Sequence, residues 1–536
     1  MTADVSSPPQ QLGGDAQRWG LGDLLTDVVK ATPDATALII GPDRDHLTYK
    51  ALADLASWLS ATLLRHGLHP GDVVAVQAAN TVEFVVALLG AAQAGLVVAP
   101  LDPALPAAQK AQRLRALGAR ITLLDHQPLT TTTASDRPDW WLTATPVTSS
   151  YAKANSRLQF RTPVPAADPP SGMTGDDALL MSTSGTGGAP KMVPWTHHTI
   201  ACALAAITNT YQLTRSDATV AVMPLFHGHG LVAGLLATLA TGGHVLLPAR
   251  GNFTAHTFWD DLAAAGATWY TAVPTIHTIL LNRASPGGPD HLRTRGHWLR
   301  FIRSCSAPLS AATARDIERC FGAPIVAAYG MTEATHQAST GRPTDTAATR
   351  LHTVGEPSGT DVRIYGPNNQ RCHLGVIGEV WLRGPGVARG YLGDPAATDS
   401  AFVDGWLRTG DLGALDTHGT LTITGRIKDL INRGGEKISP THVEEVLTSD
   451  PGIAEAAVLG IHDPVYGESV AAVIVPTPGA LLTAEEVRTH CRTQLAPHEI
   501  PEHVSFAAAL PMTAKGAIDR SALRAQYTPT TEGSTT

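Results

Sequence analysis

Apolar residues along this chain fall into two textures. From about residue 20 to about residue 340, short continuous apolar runs alternate with longer segments at helical spacing. VVAVQ (73–77), LVVAPL (96–101), ALLMS (178–182), ATVAVMPL (218–225), HVLLPA (244–249) and WYTAVP (269–274) predict strands. HHTIACALAAITN (197–209), LVAGLLATLATG (231–242) and TIHTILLN (275–282) predict helices between them. Strands apolar on both faces and joined through helices predict an α/β fold of mainly parallel, helix-covered sheets. From about 350 to 425 the runs become short, alternating and punctuated by glycine: VRIYGPNN, GEVWLRGPG, GWLRTGDLGALD and GTLTITG. That texture predicts antiparallel strands and hairpins forming a small β-barrel subdomain. Beyond Gly425 the pattern is mixed α+β, with a helix from Pro440, strands AEAAVLGI and AAVIVP, and a helix from Ala484. The residues from Arg426 to Leu430 are the natural boundary of a smaller C-terminal domain.

The longest apolar stretch, residues 84–101, approaches membrane-spanning length. Gln93 and Gly95 interrupt it, and Asn80 followed by Glu83 predicts a capping box. The stretch therefore reads as a helix over about 81–94 followed by a buried strand. A length of 536 residues predicts two to four domains, and 43% hydrophobic residues can bury large cores. The 39 Lys+Arg against 47 Asp+Glu give a net charge of −8, without the basic stripe of a nucleic-acid binder. Five scattered cysteines with no CxxC pair predict buried thiols in a reducing compartment. No basic-then-apolar leader opens the sequence, so the expectation is a cytoplasmic protein with neither membrane nor nucleic-acid partners.

The densest chemical signal is Ser182-Thr183-Ser184-Gly185-Thr186-Gly187-Gly188-Ala189-Pro190-Lys191, directly after a predicted strand. Small residues let a backbone close around a phosphate with its N–H groups inward; hydroxyls add donors and a lysine adds charge. It is not the P-loop of common NTPases, because Pro190 precedes Lys191 and Met192 follows it. A second segment, Ala328-Tyr329-Gly330-Met331-Thr332-Glu333, follows the strand-like APIVAAY. Beside a phosphate cradle, Glu333 becomes a candidate Mg²⁺ ligand and Thr332 a phosphate donor. A third, Arg408-Thr409-Gly410-Asp411, opens a predicted hairpin, where Asp411 caps the turn unless a ribose diol is near. The fourth runs from Gly425-Arg426-Ile427-Lys428-Asp429 to Arg433-Gly434-Gly435-Glu436-Lys437-Ile438-Ser439-Pro440. Ser439 as N-cap and Pro440 at the first helical position explain part of it. The paired glycines among four cations predict a mobile loop that contacts an anion.

In this order and spacing the four segments resemble the adenylate-forming superfamily of acyl-CoA synthetases, luciferases and peptide-synthetase adenylation domains, over about residues 20–525. PLFHGHGLVAGLL (224–236), RFIRSCSAPLS, YGMTEATHQ and INRGGEKISP are most similar to its oxalate–CoA ligase branch. The resemblance implies a flexible start (1–18), a large N-terminal domain (19–425), a hinge (426–428), a mobile C-terminal domain (429–527) and a flexible tail (528–536). It implies ATP, Mg²⁺ and coenzyme A: a carboxylate becomes an acyl-adenylate with loss of pyrophosphate, and a thiol then displaces AMP. Residues 183–191, with Thr183, Ser184, Gly185, Thr186, Gly187 and Lys191, would wrap the β- and γ-phosphates, Thr186 also lying at the metal. Thr332 would touch the α-phosphate and Glu333 hold Mg²⁺. Ser306-Ala307-Pro308 and Ala328-Tyr329-Gly330-Met331 would wall the adenine slot, and Asp411 with Arg426 would bind the ribose. Lys428 would be the hinge, Arg433-Gly434-Gly435 part of the pantetheine tunnel, and His227 the gate of an acyl pocket lined by Gly228, Ser306, Gly330 and His336.

One departure stands out. The family motif Gly-Lys-Ile-x-Arg carries a catalytic lysine, and here Gly516-Ala517-Ile518-Asp519-Arg520 places Ala517 there. Losing a charge aimed at a transition state costs on the order of 10²–10³ in rate, so weak adenylation is expected. Either the alanine replaces an original lysine, or Lys515 substitutes from about 7 Å along the strand. Phe226-His227-Gly228-His229 lacks the Asp with which amino-acid-activating relatives hold an ammonium, so an α-amino acid is not expected. Small Gly228 and Gly330 suggest room for a bulky apolar acid; oxalate, using Ser306 and His336, is the alternative. Two other classes remain open: an impaired carboxylate-binding relative, and a kinase-type enzyme that would release ADP.

Overall fold

The computed structural model describes residues 20–124, 139–141, 170–183, 190–285, 299–477, 479–512 and 518–527. The first sheet has six strands in the order Asp139–Trp141, Ile121–Leu124, Val73–Gln77, Val97–Leu101, Asp177–Ser182 and Met192–Thr196. The first five run parallel, and Met192–Thr196 turns back antiparallel on Asp177–Ser182. A second sheet orders Asp45–Thr48, Thr36–Ile40, His244–Leu246 and Ala218–Val220. The third runs Trp269–Ala272, Phe301–Cys305 and Ile325–Tyr329 in parallel, then Ser339–Thr340 and Glu356–Pro357 antiparallel. Burial follows the apolar runs: Val73–Gln77, Val97–Leu101 and Phe301–Cys305 are buried at every residue.

The 84–101 stretch resolves into the helix Val82–Gln93 and the strand Val97–Leu101. Among the described residues no helix is long and apolar enough to cross a membrane. The expected cap is corrected by one residue: Thr81, extended at φ −120°, accepts from the Phe84 N–H at 3.4 Å. Asn80 is buried instead. Its amide donates to Ala221 O (2.8 Å) and Met223 O (3.0 Å) and accepts from Leu225 N–H (2.9 Å), groups that would otherwise be unpaired in the interior.

Those contacts fix the chain entering the 224–236 motif, where His229–Leu236 winds as a π-helix before the α-helix Ala237–Ala240. Wide turns of this kind cluster at functional sites. Gly230 has to be glycine, since a Cβ there would meet Pro224 O at 2.3 Å.

The glycine-punctuated region forms the strands Asp361–Tyr365, Gly378–Arg383, Phe402–Val403, Trp406–Leu415 and Leu421–Arg426, all pairing antiparallel. A short 3-10 turn, Ile427–Asp429, leads to Ile431–Arg433 and Glu436–Ile438. These join Ile453–Asp463, Gly467–Pro476 and His503–Phe506 in a last sheet, over which Ile431, Ile438, Val443, Leu447, Val458 and Ile474 share a separate core. Ser439 caps Pro440–Thr448 as predicted, and its hydroxyl also donates to Thr424 O at 2.6 Å.

Candidate active site

Three parallel strands of the third sheet end where two motifs begin. Tyr329 closes Ile325–Tyr329, and its hydroxyl donates to Asp411 Oδ2 at 2.6 Å. The other Asp411 oxygen pairs with Arg426 Nε at 2.7 Å, because Asp411 and Arg426 face each other across neighbouring strands. Asp411 is 2% exposed, and burial raises its carboxyl above the ordinary range against the opposing pull of Arg426 and Tyr329. Arg426 is pushed up chiefly by Asp411, and Glu333 adds to the effect. Motifs 82 residues apart in sequence, at Tyr329 and Asp411, thus share one electrostatic neighbourhood.

Glu333 lies in the turn Thr332–Ala334 and is buried. Its Oε1 accepts from the Tyr391 hydroxyl at 2.8 Å, and the Lys191 ammonium sits 4.4 Å above the Tyr391 ring. The segment bearing Tyr391 is anchored by a two-pronged Arg389–Asp177 pair (2.5 and 2.7 Å) and by Leu392 N–H to Met192 O (2.9 Å). Asp177 and Met192 belong to the two strands that flank the glycine-rich segment, and Thr183 N–H donates to Lys191 O at 3.0 Å. The described ends of that segment thus lie on two antiparallel strands. Ser184, Gly185, Thr186 and Gly187 lie outside the described residues, as does Ala517. Among the described residues no group of three or more His, Cys, Asp or Glu could hold a metal. A single carboxylate such as Glu333 still suits Mg²⁺, which takes one or two carboxylates together with phosphates and water.

Behind these motifs lies a polar cluster, buried except for Ser306 at its exposed edge. Ser306, held at φ +75°, has its hydroxyl 3.1 Å from His229 Nδ1, and His229 Nε2 lies 2.6 Å from Thr271 Oγ1. The His229 and His336 rings stack at 5.0 Å. Arg303 donates to Thr271 Oγ1 (3.2 Å) and Gln337 Oε1 (3.1 Å). Burial, then neighbouring cationic groups including Arg303, holds both histidines well below their usual range, so they are neutral. Trp195 forms the adjoining wall, its indole N–H donating to Thr332 O at 2.7 Å.

This packing corrects the expectation of room. A Cβ on Gly228 would lie 2.7 Å from the Trp195 ring, and one on Gly330 2.1 Å from His336 O. Both glycines are small because neighbours already fill the space, so neither opens a pocket for a bulky acid.

The remaining predicted residues lie around this centre. Ala328 is buried, Met331 half-buried, and Ser306-Ala307-Pro308 follows the strand Phe301–Cys305 at the surface. His227 is half-buried with its ring 4.5 Å from Phe226. Lys428 is exposed in the 3-10 turn, near enough to Asp411 to lower its carboxyl. Gly434 and Gly435 form the tight turn after Arg433, both at positive φ. Arg433 donates to His498 O at 3.0 Å, pairs with Glu502 and lies over the Tyr466 ring. Tyr391, Trp195, His229, Thr271 and Arg303 were not singled out from sequence. Only the last carries a usable signal, a lone arginine in an otherwise buried strand.

Residues 25–392 match the AMP-binding enzyme family and residues 442–517 the AMP-binding enzyme C-terminal domain. An oxalate–CoA ligase of Arabidopsis thaliana is 39% identical over 93% of this chain and 97% of its own. A sulfoacetate–CoA ligase of Cupriavidus necator is 35% identical over 90% and 93%. The crystal structure of ATP-bound MatB from Rhodopseudomonas palustris superposes with a TM-score of 0.81 at 28% identity, covering 95% of this chain and 99% of that one. The class is an AMP-forming acid–thiol ligase. The chain belongs to the AMP-binding enzyme family, within the adenylate-forming superfamily of acyl-CoA synthetases.

Proposed function

We propose that this ligase activates a short carboxylic acid other than an α-amino acid through an acyl-adenylate and passes the acyl group to free coenzyme A. The observation that carries the reading is the joining of Tyr329–Asp411–Arg426 to Glu333–Tyr391–Lys191 around one turn of chain. Asp411 accepts the ribose hydroxyls, Arg426 steadies it, and Tyr329 with Ser306-Ala307-Pro308 and Ala328 flanks the adenine. Thr183, Lys191 and the loop between them orient the phosphates, and Thr332 donates to the α-phosphate. Glu333, with Thr186 as the second candidate, would hold Mg²⁺, which neutralises phosphate charge when bound.

Attack of the carboxylate on the α-phosphate builds charge that these preorganised donors oppose. Lys428 then serves as the hinge that brings Arg433, Gly434 and Gly435 towards the thiol, and His227 gates the acyl site. Ala517 in place of the family lysine leaves adenylation slow as the chain stands, with thioester formation less affected. The filled space beside Gly228 and Gly330 and the names of the two relatives favour a small polar acid over a bulky apolar one. The test is exchange of labelled pyrophosphate into ATP without coenzyme A. Exchange that requires the acid supports the adenylate, and exchange indifferent to every acid refutes it.

A further inference from the structure

Among the described residues Arg303 is more deeply buried than the arginines that pair with carboxylates. Arg120, Arg350 and Arg520 each pair with a carboxylate, Asp72, Glu318 and Glu444 respectively. Arg303 is 0% exposed at the centre of the strand Phe301–Cys305, and its hydrogen bonds to Thr271 and Gln337, like its contacts with the Tyr211 hydroxyl and the Cys305 thiol, reach groups without a fixed charge. Among the described residues no carboxylate pairs with it. Among those residues its Nε has no partner, nor do His336 Nε2 and Gln337 Nε2 close by. A guanidinium does not discharge at any pH a protein survives, so burial cannot be relieved by losing a proton. A buried cation with orphaned donors around it needs an anion. The cluster has a direct route to the reacting centre: Arg303 to Thr271, Thr271 to His229, His229 to Ser306, with His336 stacked on His229 and Trp195 tied to Thr332.

We infer that Arg303, with His336 and Gln337 beside it, is the specificity-determining end of the acyl site and holds a second anionic group of the substrate, a carboxylate or a sulfonate. The inference rests on the ligase reading and narrows its substrate to short acids carrying two negative charges. A neutral His336 suits this role, since its Nε2 can donate to the anion without adding a second buried charge. A fixed cation also rejects a neutral isostere, which would leave the guanidinium unpaired.

The test is calorimetric binding to the full chain, beside an ATP analogue with a methylene α,β-bridge so that no turnover is needed. Oxalate is compared with oxamate, malonate with malonamate, and sulfoacetate with acetate; the pair that binds identifies the distal group. The expected result is a preference of about 10²-fold or more for one dianion over its singly charged partner. Arg303→Met should abolish that preference while changing the singly charged acid's affinity by less than about threefold, and Arg303→Lys should restore part of it. Equal binding of doubly and singly charged partners by the unaltered chain overturns the inference, and so does a proportional loss of both in Arg303→Met, as expected for a merely structural arginine. If Arg303→Met fails to fold, the preference of the unaltered chain decides alone. Pyrophosphate exchange separates the two levels: exchange driven by monocarboxylates and not by dianions sinks the anion assignment and leaves the ligase standing, whereas exchange with no acid sinks the ligase reading.

Discussion

Replacing Asp411 by asparagine separates a nucleotide-binding carboxylate from an architectural one. The side chain is 2% exposed and already engages Tyr329 (2.6 Å) and Arg426 (2.7 Å), which leaves carboxylate lone pairs for a ribose diol. Asparagine keeps the shape and removes the charge. The amide turns its oxygen towards Arg426, because two facing donors repel, and Tyr329 then accepts instead of donating. The lost pairing costs stability little, about 1 kcal/mol, since Arg426 is half exposed and water takes over its charge. Nucleotide binding should suffer more. A hydrogen bond to a charged acceptor is worth about 1.5–3 kcal/mol, and turning two of them into neutral or missing ones removes about 2–3 kcal/mol, or about 30- to 150-fold in affinity. Calorimetric titration with AMP measures the second effect and urea unfolding the first. An AMP affinity within about twofold of the unaltered chain, beside a measurable loss of stability, would refute the ribose assignment.

Three further expectations follow from the same structure. Ala517→Lys should raise the rate of acid-dependent pyrophosphate exchange by about 10²–10³, and no increase would remove the catalytic-lysine reading. Gly228→Val places a methyl-bearing carbon 2.7 Å from Trp195, so it should destabilise by about 1–3 kcal/mol in urea unfolding without admitting bulkier acids. Acid should weaken the fold through its buried histidines. Burial lowers His277 from 6.5 to about 3, and His229 and His336 fall too, so the stability due to neutral imidazoles is complete above pH 6.5 and drains as pH falls towards the folded values. The slope is up to about 1.4 kcal/mol per pH unit for each histidine. The urea midpoint should therefore drop between pH 7 and pH 5, and His277→Gln should flatten the drop.

Much of the α/β framework is legible in apolar runs because strands buried on both faces leave a continuous signature, as in Val73–Gln77 and Val97–Leu101. The Asn80 cap misreads because a local motif cannot show that loop carbonyls 141 and 143 residues away compete for the same side chain. The glycines at 228 and 330 mislead for the same reason: smallness in sequence leaves open whether the vacated volume is empty or taken, and here Trp195 and His336 take it. Tyr391 escapes notice because its partners, Lys191 and Glu333, stand 200 and 58 residues away and only the packed sheets bring them within reach. Arg303 is visible as a letter in RFIRSC, yet its meaning depends on the absence of a counter-ion among the described residues, which only the folded arrangement reveals.

The products formed from ATP test the central claim most directly. With Mg²⁺, coenzyme A and a two-carbon dianion, separation of the nucleotides should show AMP and pyrophosphate appearing in equal amounts, matched by an acyl thioester, at a rate that rises in Ala517→Lys. Release of ADP and phosphate, or no acid-dependent cleavage of ATP even with the lysine in place, would contradict the account.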